Sequence, residues 1–209
     1  MTDRDEILQA SSTLFQEISL VEAQIANTWK IKQNDLLDKK TSFIYRCETL
    51  FELEERCQIL NLSQQEIVYA NHRWRNFKRH DAWLYLLAGS IHGFSLNPSK
   101  MDSKSDFFLE IGPNKKPFDL KLTRYPNSAP RELTDQELAR WLYENQSRQQ
   151  RFHLHNRFFV IGNPEDSLYN LEAAKKTIKK YNSGDDFEVH RIVFSDETST
   201  NAILVRHSN

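Results

Sequence analysis

Glycine, proline and cysteine are scarce in this chain of 209 residues, which contains five glycines, six prolines and two cysteines. So little glycine and proline excludes collagen-like and low-complexity sequence and argues against disorder. The two cysteines, Cys47 and Cys57, are too few for a disulfide framework or a cysteine-bound metal cage. Because disulfides are rare in reducing compartments, this cysteine content predicts a reduced, cytoplasmic protein.

Long apolar runs are missing as well. No stretch of about 18 apolar residues occurs, so we predict no membrane-spanning helix. Residues 1–10 contain three acidic residues and no apolar stretch, a pattern that does not match a secretory signal. Hydrophobic residues still make up 39% of the chain, which is enough to build one globular domain with a substantial core.

Charge is nearly balanced overall, with a formal net charge of −1, but it is unevenly distributed. Residues 1–60 hold seven basic and eleven acidic residues, a net charge of −4, whereas residues 71–124 hold ten basic and five acidic ones, a net charge of +5. The segment Asn71–His80 combines four basic residues with two aromatic ones and has no acid. This interleaving suits a polyanion with flat bases, although a solvated helix face has the same composition.

Hydrophobic periodicity divides the chain into a helical segment, residues 1–62, and an α/β domain, residues 63–209. An apolar stripe at helical spacing runs through the first segment: Leu14, Ile18, Val21 and Ile25. A break near Asn34 predicts a pair of helices there. Such a stripe packs either on the chain's own core or on a second copy, and the second alternative predicts a homodimer.

The α/β domain shows helix and strand patterns in the order α-β-β-α-β-α-β-β, which predicts a mixed sheet flanked by helices on both faces. Capping boxes at Ser63–Glu66 and Thr134–Glu137 open two helices, and the first is expected to restart at Asp81. A third helix is predicted over residues 168–181. The predicted strands are 106–111, 118–123, 157–161, 187–194 and 202–206.

The first two strands form a β-hairpin with chemically distinct faces, because each alternates apolar and polar side chains. When the apolar faces match, four charged residues gather on the opposite side: Asp106, Glu110, Asp119 and Lys121. Three carboxylates on one face repel each other unless a cation offsets them, and Mg²⁺ is held by one or two carboxylates plus phosphate oxygens. We therefore predict a Mg²⁺ site, which Mn²⁺ would also fill.

Asp106 followed by Asp119-Leu120-Lys121 resembles the PD-(D/E)XK nuclease superfamily, in which an acid on one strand precedes an acid-X-lysine motif on the next. The resemblance covers about residues 63–162 and implies a restriction-endonuclease-like αβββαβ core. It also implies Mg²⁺-dependent hydrolysis of DNA, with Asp106, Asp119 and the Leu120 carbonyl as metal ligands. Lys121 then orients or activates the attacking water. The sequence shows no clear strand ahead of Asp106, although that core contains one.

Strand register decides which acid lies opposite Asp119. A turn centred on Gly112-Pro113 places Asp106 there. A turn centred on Asn114-Lys115 places Glu110 there instead. The family pattern favours Asp106 as the catalytic acid and leaves Glu110 as its substitute.

Five basic residues are predicted to contact DNA: Arg73, Arg75, Lys78, Arg79 and Arg124. Arg75 and Arg79 are four positions apart and share a helix face, with Lys78 close by. We predict that this face contacts backbone phosphates. Arg124, at a strand end just beyond the acid-X-lysine motif, is expected to meet phosphate as well.

Residues on the predicted helices suggest one more metal ligand and one other class of protein. Many members of the superfamily carry an additional glutamate ligand on the first helix, and Glu66 is the candidate, although its capping box also accounts for it. His80-Asp81 raises the metal-binding HD phosphohydrolases, whose helical fold does not suit the strand-rich second half. The alternative of a different class is a non-catalytic nucleic-acid-binding or protein-interaction protein, which would be indifferent to metal.

Overall fold

The structure, a computed structural model, describes residues 2–25, 35–99, 105–146, 155–163 and 168–207. Within these ranges the chain folds into six α-helices and six β-strands, which confirms the predicted α/β class. The helices are α1 (Asp3–Gln24), α2 (Asp35–Lys40), α3 (Leu50–Ile59), α4 (Gln64–Ser90), α5 (Asp135–Gln146) and α6 (Leu171–Ile178). The strands are β1 (Phe94–Leu96), β2 (Phe107–Ile111), β3 (Asn114–Arg124), β4 (Arg157–Gly162), β5 (Val189–Val193) and β6 (Ser199–His207).

The six strands form one mixed sheet in the spatial order β1-β2-β3-β4-β6-β5. The first three are an antiparallel meander, β4 is parallel to β3 and β6, and β5 is antiparallel to β6. The predicted hairpin is present as β2 and β3, and β4 is buried along its whole length, as expected of an apolar central strand. Strand β1 was not predicted, because three residues are too few to show a period-two pattern. With β1, the elements from α4 to β4 follow the order αβββαβ.

Hydrophobic cores lie on both faces of the sheet. On one face, Trp83 of α4, Phe107 of β2 and Phe15 of α1 belong to one buried cluster. On the other face, Tyr143 of α5 packs against Phe159 of β4. Helices therefore flank the sheet on both sides, and the N-terminal helical segment shares a core with the α/β domain.

Helix α4 is the longest element, with 27 residues. Ser63 and Glu66 form the predicted capping box at its N-terminus, and the helix continues through Asp81 without the predicted restart. Trp74 and Trp83 are fully buried along it. Within the described ranges, no helix combines the length and the apolar character that crossing a membrane requires.

The apolar stripe of the N-terminal segment is covered by the chain itself. Ile18 and Val21 are fully buried, Ile25 is nearly so, and Leu14 packs against the core that α4 shares with the sheet. Of the two alternatives, the structure has the packing on the chain's own core, because α1 lies along α4. The stripe therefore offers no surface to a second copy, and the homodimer stays a prediction. The break predicted near Asn34 lies outside the described residues.

Candidate active site

Strand register places Asp106 opposite Asp119. A two-residue turn, Gly112-Pro113, joins β2 to β3, and Gly112 has a φ of 55°, the left-handed conformation that the first central position of such a turn requires. The backbone N–H of Asp106 donates to the Phe118 carbonyl at 2.8 Å. This hydrogen bond extends the pairing of β2 and β3 by one position, so that Asp106 lies opposite Asp119. Of the two predicted registers, the structure has the one that pairs Asp106 with Asp119.

Glu110 lies away from this pair. It is opposite Lys115 and exposed, and it is four positions from Asp106, a distance of about 13 Å along the strand. Its side chain lies against Gly93, where an added Cβ would come within 2.8 Å of the Glu110 Cβ. The structure does not bring Glu110 to Asp119.

Asp106 and Asp119 lie opposite each other on neighbouring strands, and each carboxyl group affects the pKa of the other. Asp106 accepts a hydrogen bond from the backbone N–H of Leu120 at 2.7 Å, and His80 Nε2 lies 3.3 Å from the same carboxylate oxygen. Asp119 accepts a hydrogen bond from Lys121 Nζ at 2.8 Å. The three side chains predicted from the motif are thus assembled in one place, together with His80.

Opposite pKa shifts distinguish the two carboxyls. Burial raises the pKa of Asp119 against the attraction of Lys121, and the Asp106 carboxylate raises it further. Burial is the largest single influence on Asp106 and acts in the same direction, but the hydrogen bond and charge of His80, together with the Leu120 N–H, outweigh it and leave the pKa of Asp106 below its ordinary value. Burial also opposes a charged His80, yet its bonds to Asp106 and Asp81 prevail and raise its pKa to about 9. A protonated His80 therefore balances an ionised Asp106 at neutral pH.

Within the described ranges, the edge of β3 beside these carboxylates has no strand partner, and we call it the open edge. β2 pairs with β3 only as far as Phe118, while β4 pairs with the opposite edge as far as Arg124. The N–H and C=O of a strand residue point to the same side, so the Leu120 carbonyl faces the open edge, as its N–H does. This carbonyl and the two carboxylates form an all-oxygen donor set, the kind that Mg²⁺ prefers. Among the residues that the structure describes, no group of three or more His, Cys, Asp and Glu side chains is arranged to hold a metal ion.

A cleft of about 730 Å³ lies between α4 and the end of β3. We call it the arginine cleft, because four arginines line it: Arg73, Arg75, Arg79 and Arg124. Three aromatic residues line it as well: Tyr45, Phe77 and Tyr169. No acidic residue of the described ranges contributes to its wall, so its lining carries only positive charge.

A second cavity, of about 300 Å³, connects the arginine cleft with the carboxylates. His80 and Asp106 line this second cavity, and it shares Tyr45 and Phe77 with the arginine cleft. The two cavities are therefore adjacent, but their charge differs: the second one is lined by the acids Glu48, Asp81 and Asp106 as well as by Lys78 and His80.

Three of the predicted DNA-binding residues bond acids of the N-terminal helical segment. The ion pairs are Arg73–Asp38 at 3.3 Å, Arg75–Glu22, and Lys78–Glu48 at 3.0 Å. Lys78 does not line the arginine cleft, contrary to the prediction that it lies with Arg75 and Arg79, because its side chain turns toward Glu48. Arg79 bonds no acid in the described part of the chain, and Arg124 is exposed at the end of β3.

The structure does not bring Glu66 to the site. Its carboxylate completes the capping box with Ser63 and pairs with Lys40 at 2.6 Å. These bonds, that of Lys40 first, lower the pKa of Glu66 to about 2. Glu66 and His80 are fourteen positions apart on α4, which is about 21 Å along the helix axis.

His80 is the residue of the site that sequence reasoning missed. The available signal was the pair His80-Asp81 in the helix that precedes the acid-bearing strands, but that pair by itself suggested a different, helical class of phosphohydrolase. Its contact with Asp106 depends on where α4 crosses the start of β2, which no local pattern reveals.

No model of a known protein family matches the chain, and neither a curated protein nor a solved structure matches it.

Proposed function

We propose that the chain is a metal-dependent nuclease of the PD-(D/E)XK type that hydrolyses phosphodiester bonds of DNA. The observation that carries the proposal is the strand register that pairs Asp106 with Asp119, with Lys121 beside Asp119 at the open edge of β3. The αβββαβ order from α4 to β4 supports it, because the family resemblance implies a core of this order.

Each residue of the proposed site has a separate role. Asp106, Asp119 and the Leu120 carbonyl are the groups that would hold Mg²⁺. When bound, the ion supplies a Lewis acid and lowers the pKa of a coordinated water. Lys121 places a positive charge where negative charge develops on the phosphate, and His80 holds Asp106 ionised through its hydrogen bond.

The arginine cleft supplies the second requirement of a nuclease, a positively charged surface for the phosphate backbone. A cleft lined by one sign of charge raises the local concentration of a polyanion. Contacts with phosphate also make the affinity fall as the salt concentration rises. DNA is accordingly the proposed partner, and the end of β3 leads from the cleft to Asp119 and Lys121.

One observation favours a non-catalytic nucleic-acid-binding protein as the second candidate. The two carboxylates are already surrounded by cationic side chains: His80, Lys121 and the buried Arg157, whose Nε lies 3.9 Å from Asp119. These cationic side chains offset the negative charge of the two carboxylates, so the site does not need a metal ion to reduce their repulsion. The two candidates differ in whether Mg²⁺ is required for any activity.

Incubation of single-stranded, branched, plasmid and linear DNA with Mg²⁺, Mn²⁺ or EDTA tests the proposal, and cleavage of any one of these substrates counts as activity. We expect cleavage with either metal and none in EDTA. The near-isosteric Asp119→Asn and the uncharged Lys121→Met should each lower the cleavage rate by about a hundredfold or more, since each removes a group that acts on the reacting phosphate or water.

Glu110→Gln is the matched control for these variants. It removes an acid from the same hairpin, but one that is exposed and distant from Asp119, so the rate should stay within about twofold of the parent. Thermal unfolding of all variants separates lost chemistry from lost folding. Cleavage that persists in EDTA, or in folded Asp119→Asn, would show that the site is assigned wrongly.

A further inference from the structure

The size of the arginine cleft restricts what it accepts. Its volume of about 730 Å³ lies within the range of small-molecule sites, about 300–1,000 Å³. Such a space accommodates about one or two nucleotides. A base-paired duplex keeps the faces of its bases stacked inside the helix, so it offers this space no base to stack on an aromatic ring, whereas an unpaired strand does.

Arg79 marks the anion-binding part of this cleft. It pairs with no acid in the described ranges, and its Nε is buried without a hydrogen-bond partner there. Its guanidinium lies 4.9 Å from the ring centroid of Tyr169, and that of Arg75 lies 4.5 Å from the same centroid. Burial lowers the pKa of Arg79. Two guanidinium groups on one ring, only one of them ion-paired, are costly to desolvate unless an anion joins them.

Tyr45 marks a second part of the cleft, suited to a base. Its ring is 53% exposed although it is large and apolar. The edge-to-face contact with Phe77, at 5.1 Å between centroids, and the guanidinium of Arg73, at 5.5 Å, hold the ring in place. An exposed aromatic ring beside arginines is the arrangement on which unpaired bases stack in single-strand-binding proteins.

We propose that the arginine cleft binds an unpaired stretch of nucleic acid, with a phosphate between Arg75, Arg79 and Arg124 and a base stacked on Tyr45. The inference rests on the proposed nuclease function and names its substrate class as single-stranded or locally opened DNA. Thr123 lines the cleft, and Lys121 lies two residues earlier on the same face of β3, about 7 Å away. A strand seated in the cleft therefore reaches the carboxylates within one or two nucleotides.

Fluorescence anisotropy in EDTA measures this binding without cleavage. The probes are a labelled single-stranded oligothymidylate, the same strand paired with oligoadenylate, and an abasic strand of equal length. We expect the oligothymidylate to bind about tenfold or more tightly than the duplex. Arg79→Met should weaken that binding about tenfold, whereas Arg191→Met, on the edge strand β5, should leave it unchanged.

Tyr45→Ala separates stacking from phosphate binding. It should weaken the oligothymidylate about tenfold but leave the abasic strand unaffected, because only the former has bases to stack. If Arg79→Met does not fold, Arg124→Met at the exposed end of β3 replaces it.

Three results would overturn the inference: equal affinity for the duplex, no effect of a folded Arg79→Met or its replacement, or displacement by inorganic phosphate at a concentration equal to the oligonucleotide. The last would mark a site for free anions. Failure of the nuclease proposal alone would give a different result: DNA would remain intact with Mg²⁺, while the oligothymidylate would still bind.

Discussion

The two sides of α4 use the same kind of residue for different purposes. Toward the N-terminal helical segment, Lys78 meets Glu48, and Arg73, which also lines the arginine cleft, meets Asp38. Toward the end of β3, Arg79 faces a cleft and bonds no acid of the described ranges. The acidic segment therefore neutralises one side of the helix and leaves the other side positive. Basic residues a few positions apart differ in role because of what packs against them.

Among the variants that test this difference between the two sides, Arg75→Met should lower the free energy of unfolding the most. Arg75 is 4% exposed, pairs with Glu22 of α1 and also lines the cleft, so it belongs to both sides. Removing it leaves a half-buried carboxylate without its partner, which should lower the free energy of unfolding by about 3 kcal/mol. Urea unfolding measures the loss. The Glu22→Gln/Arg75→Met double variant should lose less than the sum of the single losses.

Arg73→Met should have the next largest effect, a loss of about 2 kcal/mol in unfolding free energy. Arg73 donates to the Asp38 carbonyl at 2.8 Å, to Thr41 Oγ1 at 2.6 Å and to the Tyr45 hydroxyl at 2.9 Å, and thereby ties α4 to the N-terminal segment. The midpoint of urea unfolding should fall without a change in slope. A loss below about 0.5 kcal/mol would mean that these bonds do not hold the two regions together.

Arg79→Met is the matched counterpart and should change the unfolding free energy by no more than about 0.5 kcal/mol. No acid of the described chain loses a partner when this charge is removed. The same variant should bind DNA more weakly and show a shallower salt dependence, by about one unit of slope. Equal losses of stability in Arg73→Met and Arg79→Met would contradict the difference in role between the two sides of α4.

Glu66→Gln should have the smallest effect on the site. Glu66 lies in the first turn of α4, on neither side of the comparison, about 21 Å along the helix from His80. We expect the rate of Mg²⁺-dependent cleavage and the affinity for DNA to match those of the parent within about twofold. A large fall in the cleavage rate with stability unchanged would restore Glu66 as a ligand.

The hairpin and the helix caps were predictable because they depend on residues close in sequence. Alternating side chains over 106–111 and 118–123 predicted β2 and β3, and the turn at Gly112-Pro113 was one of two registers compatible with that pattern. Strand β1 was not predictable from its three residues, because it is stabilised by pairing with β2 rather than by its own pattern.

The sequence alone predicts which charged residues share a face: Asp106, Asp119 and Lys121 on one side of a hairpin, and the basic residues of the helix before it. Which of these charges pair with each other depends on the tertiary fold. Glu22 and Arg75 are 53 positions apart, and Glu48 and Lys78 are 30 apart. Such pairs form when separate elements pack together, so no local periodicity encodes them. The same packing brings His80 to Asp106 and leaves Arg79 facing an open cleft, because hydrophobic burial of α4 fixes which of its sides each neighbour covers.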